Sequence, residues 1–241
     1  MDQTRTGPLV HEESSRWVRV RYRGETIADS KGPLLAWESG KVIPFYLFPR
    51  DAVRADLLGE AGTEDGKRFY DLPGARRAAW SYTEADGLSD HVAFDWHTMD
   101  AWYEEDEEVF VHARDPHKRV DVVESSRHVI VSVDGMTLAD TRHPRLLFET
   151  GLPTRYYIPP EDVRMDLLRP SEKHTQCPYK GTASYLSSET QQDVAWFYPE
   201  PIPEQPRIQG LVAFFNERVD IDVDGEREER PRSQWSVRPA S

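Results

Sequence analysis

Apolar and polar positions alternate in short runs along this chain, and the alternation predicts strands. Val18, Val20 and Tyr22 are separated by Arg19 and Arg21, Arg23-Gly24 supplies a turn, and Thr26-Ile27-Ala28 starts the return. That is the period-two signature of a hairpin with one buried face. Val129, Val131 and Val133, then Asp134-Gly135, then Thr137-Leu138-Ala139 repeat it. Later strands are expected over 194–198, 210–215 and 219–223, with looser counterparts in Val92-Ala93-Phe94 and Val109-Phe110-Val111. A helical turn is expected within 49–58 and another within 160–168, since each has proline near its start and acids in its first turn. Residues 199–206 read as a proline-rich extended loop.

The two hairpins open a longer internal repeat. At a constant offset of 111, the 25 positions from 16 to 40 hold 11 identical pairs, among them Gly24/Gly135, Asp29/Asp140, Pro33/Pro144, Glu38/Glu149 and Gly40/Gly151. At an offset of 110, Pro49/Pro159, Arg54/Arg164, Asp56/Asp166 and Leu58/Leu168 then coincide. Similar strand composition alone does not place Asp29, Pro33, Glu38 and Arg54 in register, so the chain is read as two copies of one domain. The copies span 16–121 and 127–225, with polar tails over 1–15 and 226–241. The expected fold class is all-β with short helices.

The second copy resembles the bacterial and fungal domain-of-unknown-function family numbered 427, which carries a nucleotidyltransferase-like designation. The resemblance rests on the hairpin over 131–140, Phe148-Glu149, Tyr157-Ile158-Pro159-Pro160-Glu161-Asp162-Val163 and His174-Thr175-Gln176-Cys177-Pro178-Tyr179-Lys180-Gly181. Ala195-Trp196-Phe197-Tyr198-Pro199 and Gly210-Leu211-Val212-Ala213-Phe214 complete it. It implies a small curved-sheet, β-tent-like domain and no established activity. The first copy resembles the family in its hairpin and helical turn but has Lys67-Arg68-Phe69-Tyr70-Asp71-Leu72-Pro73-Gly74 in place of the cysteine segment. On that alignment only the second copy keeps the motif.

Cys177 is the chain's single cysteine. A thiol becomes a nucleophile when cations or backbone N–H groups favour its thiolate, and Cys177 stands three residues after His174 and three before Lys180. Gly181 allows positive φ or the close approach of a ligand. Trp196 and Tyr198 share a strand face, and with Tyr179 and Tyr185 they could wall an aromatic pocket. The expected site therefore has Cys177 and Lys180 as reacting groups, with His174, Tyr179, Tyr185, Trp196 and Tyr198 around a ligand. The plainer alternative is a cysteine and an aromatic stripe that simply pack.

Other candidates carry less. The run Asp220-Ile221-Asp222-Val223-Asp224-Gly225 lacks the glutamate a calcium loop needs at its twelfth position and reads as a strand with an acidic face; its carboxylates could also hold Mg²⁺. The eight histidines show no metal-ligand spacing, so no metal site and no particular cofactor is read from the sequence. The acidic run over 104–108 reads as a solvated loop.

Charge narrows the partners. The 241 residues hold 43 acidic and 30 basic side chains, a net −13. The first copy contributes −6 and the second −5, so the charge belongs to both domains. Nucleic-acid binding needs clustered basic residues and is not expected. A lone cysteine cannot form an internal disulfide, no apolar run reaches membrane-spanning length, and no signal peptide is evident, so a cytoplasmic chain without a membrane partner is expected. Two functions remain: a small-molecule enzyme centred on Cys177, or a non-catalytic ligand- or protein-binding module in which two packed copies form a groove. A homo-oligomer remains open.

Overall fold

The computed structural model describes residues 9–84 and 87–236. The chain divides into two compact units, 1–115 and 116–241. Unit 1 contains β1 (Leu9–Glu13), β2 (Val18–Tyr22), β3 (Glu25–Ser30), β4 (Leu34–Glu38), β5 (Phe45–Pro49), β6 (Gly59–Glu64), β7 (Lys67–Leu72), β8 (Ala75–Tyr82), β9 (His91–Phe94), β10 (Ala101–Glu104) and β11 (Glu107–Glu108). Unit 2 contains β12 (Val120–Glu124), β13 (Val129–Val133), β14 (Met136–Thr141), β15 (Arg145–Glu149), β16 (Arg155–Ile158), β17 (Arg169–Cys177), β18 (Gly181–Ser187), β19 (Ala195–Phe197), β20 (Val212–Phe214), β21 (Asp220–Val223) and β22 (Glu226–Arg227). The chain is mainly β, in two similar halves.

Each unit pairs a seven-stranded sheet with a four-stranded one. The orders are β1-β4-β5-β9-β8-β7-β6 with β11-β10-β2-β3, and β12-β15-β16-β20-β19-β18-β17 with β14-β13-β21-β22. They superpose strand for strand. The opening hairpins turn at Arg23-Gly24 and Asp134-Gly135, where both residues of each pair have positive φ (51° and 80°, 50° and 81°), the geometry whose twist matches the flanking strands. Each hairpin carries a bulge at the equivalent place, after Val20 and after Val131.

Apolar alternation puts two layers on each large sheet. Along β16, Tyr156 and Ile158 join the core that also holds Val129, Val131, Leu138 and Ile221, while Tyr157 packs on the opposite face with Tyr185, Trp196, Tyr198 and Phe215. In β5, Tyr46 and Phe48 face the main core and Leu47 the second layer, with Phe45, Trp80 and Tyr82 against it. Both faces of these sheets are thus buried at their central strands, while β6 and β17 at the edges are largely exposed.

The structure departs from the sequence reading at several places. Residues 9–13, expected in a polar tail, form β1 against β4, where they cover an otherwise open sheet edge. The remainder of that tail, 1–8, lies outside the described residues, as do 237–241 of the other tail. Residues 120–121, assigned to the first copy, belong to β12 and pair with β15 of unit 2. The expected helical turns are pairs of 3₁₀ turns, Arg50–Ala52 with Ala55–Leu57 and Pro160–Asp162 with Met165–Leu167. They stay short because Val53 and Val163 are drawn into bridges with Ala28 and Ala139. Residues 109–111 form no strand, and Val111 has φ 76°. The run 104–108 is not a solvated loop throughout: Glu104 is buried, accepting from Tyr46 Oη at 2.8 Å and from Arg16. Among the described residues, no helix is long and apolar enough to cross a membrane.

Candidate functional site

The second layer of unit 2 holds Tyr185, Trp196 and Tyr198 of the residues expected to carry chemistry. Cys177 ends β17 and stands opposite Gly181 at the start of β18. By strand alternation Thr175 and Cys177 share a face with Ala183 and Tyr185, and Thr175 Oγ1 lies 2.8 Å from Tyr185 Oη. His174 lies on the other face, exposed, its Nδ1 3.0 Å from the carbonyl oxygen of Glu172. It does not join Cys177.

Cys177 is half-buried at the rim of the layer. Behind it Trp196 donates to Tyr157 Oη at 3.2 Å, Trp196 meets Tyr157 edge-on at 6.3 Å, and Tyr185 stacks on Phe215 at 6.4 Å. Burial pushes the Tyr157 phenol well above its ordinary value, the Trp196 bond works against that, and Glu149 and Cys177 push it further. Tyr198 is raised by burial and then by Tyr157, Cys177 and Tyr185. These influences place Cys177, Tyr157, Tyr198 and Glu149 in one neighbourhood. Both phenols therefore stay protonated throughout the neutral range.

Lys180 is paired with Glu149. It is 8% exposed, and its ammonium donates to Glu149, which also pairs with Lys118 at 3.0 Å. Burial acts to raise the Glu149 carboxyl, but the two lysines outweigh it and hold the group below the usual carboxylate range. Lys118 also stands 5.5 Å from the ring of half-buried Tyr179 at the hairpin tip.

Gly181 is required by protein backbone rather than by a ligand. Its φ is +103°, and a Cβ there would stand 3.1 Å from the carbonyl oxygen of Glu200 and 3.3 Å from the amide of Ile202. The extended loop over 199–206 is pinned at this point, with Gly181 bridged to Pro201 and Ile202 N–H donating to the Lys180 carbonyl at 3.1 Å. Tyr185, Trp196 and Tyr198 are 8%, 7% and 5% exposed, so they form a packed wall and not an open stacking pocket.

Unit 1 repeats the ion pair. Lys67 donates to Glu38, Lys41 also pairs with Glu38, and Tyr82 Oη donates to it at 2.7 Å. Sequence alignment missed this because the lysines come from different backbone positions. The pairs Phe69↔Trp80 and Tyr185↔Trp196 make Phe69 equivalent to Tyr185, which sets Lys67 level with Ala183 and not with Lys180. The same registers equate Trp80 and Tyr82 with Trp196 and Tyr198, so an Ala-Trp-x-Tyr run recurs at residues 79 and 195. Lys67 lies 5.3 Å from the Trp80 ring centre and 5.4 Å from that of Tyr82.

Glu149, Lys118 and Tyr157 belong to the site although the sequence reading did not place them there. The signal for Glu149 was its recurrence as Glu38. Asp220 and Asp222 lie on a strand as expected and are paired, Asp220 with Arg227 and Arg230, Asp222 with Arg227. Among the described residues no three His, Cys, Asp or Glu side chains are grouped to hold a metal ion.

The family model for the domain of unknown function (DUF427) matches twice, over residues 10–105 and 121–225. No curated protein matches the chain.

Proposed function

Because the chain belongs to this family and carries two copies of its domain, we propose that it handles a small molecule at the Cys177 end of unit 2, with Cys177 as the reacting or positioning thiol. One observation carries this reading: the half-exposed thiol stands at the rim of a buried layer that also holds the Tyr157 and Tyr198 phenols and the Glu149–Lys180 pair. A thiol, protonated phenols able to hydrogen-bond a substrate and a fixed charge pair in one neighbourhood suit the binding and orientation of a small substrate beside a nucleophile. The charge of −13 and the scattered arginines favour such a ligand over nucleic acid. Native mass spectrometry of the full chain tests it. A small molecule retained by the wild type and lost from Cys177→Ser supports the proposal, whereas equal retention by both overturns it.

A non-catalytic binding module is the second reading. It is favoured by the commitment of Lys180 to Glu149 and by the recurrence of that pair in unit 1, which has no cysteine. Nucleotidyl transfer draws support only from the family's designation, since the carboxylates that would suit Mg²⁺, Asp220 and Asp222, are neutralised by arginines.

A further inference from the structure

We propose that unit 2 has a second ligand site, away from Cys177, built for a small organic anion. A groove of about 680 Å³ opens between the β18–β19 connection and the segment after β22, and Gln191, Gln192, Arg218, Arg230, Arg232 and Ser236 line it. That volume falls in the range of small-molecule sites, roughly 300 to 1,000 Å³, and exceeds what a bare inorganic ion occupies. None of these residues belongs to the Cys177 neighbourhood.

Charge identifies the ligand class. The one carboxylate in the wall, Glu217, is fully buried and is met by both Nη atoms of Arg155 at 2.7 and 2.8 Å, so its charge is cancelled from behind. Arg230 shares Asp220 at 2.8 Å. Among the described residues Arg218 donates only to neutral carbonyl oxygens, those of Trp235 at 3.3 Å, Gln192 at 3.5 Å and Asp193 at 3.4 Å, and it lies 4.6 Å from the centre of the Phe215 ring. Its position is fixed while its charge stays uncompensated. Arg232 is exposed and makes no ion pair or hydrogen bond with the described residues. Two uncompensated guanidinium groups and a third half-engaged therefore face one groove of a protein whose net charge is −13. Guanidinium forks match carboxylate and phosphate oxygens alike.

The outer wall falls outside the family match. Residues 230–236 lie past residue 225, where the family match ends. The segment 228–236 that contains them is held down by Tyr156 donating to Glu228 at 2.6 Å, by Ser233 donating to Glu217, and by Trp235 packed 6.3 Å from Phe215. A segment tied at three points forms a fixed wall, which lowers the ordering cost of binding.

Calorimetric titration of the full chain at neutral pH and low salt, with pyrophosphate and separately with citrate as probes, tests the site. Binding of either probe is expected, and the preferred one assigns the phosphate or carboxylate class. Arg232→Gln is expected to weaken that binding by about fivefold, the worth of one charge pair of roughly 1 kcal/mol. Arg142→Gln, which removes an exposed arginine elsewhere in unit 2, is expected to leave it unchanged. Absence of binding by both probes, or equal weakening by the two variants, overturns the proposal.

Discussion

Lys180 reaches Glu149 from the tip of the β17–β18 hairpin and forms with it a buried ion pair, and unit 1 arrives at the same pairing with Glu38 from a lysine set elsewhere on the backbone. The glutamate is the fixed member and the lysine the replaceable one. Removing one partner of a buried pair leaves a charge without compensation. Lys180→Met leaves Glu149 with Lys118 alone and is expected to lower stability by about 2 kcal/mol. Lys67→Met should cost about 1 kcal/mol, because that pair is more exposed and Glu38 keeps Lys41 and Tyr82. Calorimetric unfolding of the two variants checks the order.

The acid limb of unit 1 stability should run through Glu38. Burial acts to raise its carboxyl, but bonds from Lys41, Lys67 and Tyr82 outweigh it and lower the group to about 2. A folded value below the unfolded one, roughly 4.3, means stabilisation that is full above about pH 5 and lost as pH falls towards 2. The stability difference between wild type and Glu38→Gln, read from urea unfolding, should therefore shrink between pH 5 and pH 3. A constant difference would show that the carboxylate is not held by these partners.

Gly181 should be the least replaceable glycine of unit 2. An alanine there meets backbone atoms at 3.1 and 3.3 Å that cannot rotate away, at a φ that side chains rarely adopt. Gly181→Ala should cost about 2 to 4 kcal/mol and release the loop at Ile202, seen as faster exchange of its amide hydrogen. Gly151 also has positive φ but nothing within 4 Å, so Gly151→Ala should cost only about 1 kcal/mol.

The opening hairpins, the 3₁₀ turns and the tandem architecture were legible because identical residues recur there at one offset and the turns demand particular residue types. The second half of each copy was not. Equivalent residues drift from an offset of 110 at Gly59/Arg169 to 116 at Trp80/Trp196 and 120 at Val92/Val212, because the β17–β18 hairpin and the β19–β20 connection are longer in unit 2. Val92-Ala93-Phe94 is therefore the counterpart of Val212-Ala213-Phe214. At the site, Tyr185, Trp196 and Tyr198 share one buried layer. His174 separates from Cys177 by the odd spacing of the two residues along one strand, which opposes their faces. Lys180 was legible as a cation near the thiol, but its partner Glu149 lies 31 residues earlier, and only the fold brings it there.

The Arg155–Glu217 pair anchors the far end of the aromatic layer. Arg155 is 6% exposed and lies 5.5 Å from the Trp196 ring and 5.2 Å from that of Trp235. Arg155→Met should cost about 3 to 5 kcal/mol by leaving the buried Glu217 carboxylate unmatched. Adding Glu217→Gln should recover part of that loss. Urea midpoints of the single and double variants test the coupling, and an additive result would contradict it.

Alkylation of the single cysteine separates a reacting thiol from a packed one without knowledge of the substrate. Iodoacetamide labelling of Cys177, followed by intact mass at one neutral pH, is compared between the native chain and the chain unfolded in urea. The account predicts labelling of the native chain while it stays folded, because the thiol is half-exposed at the rim of the Tyr157, Tyr198 and Glu149–Lys180 neighbourhood. A native thiol that is labelled only as fast as the chain unfolds would contradict it and leave Cys177 as packing.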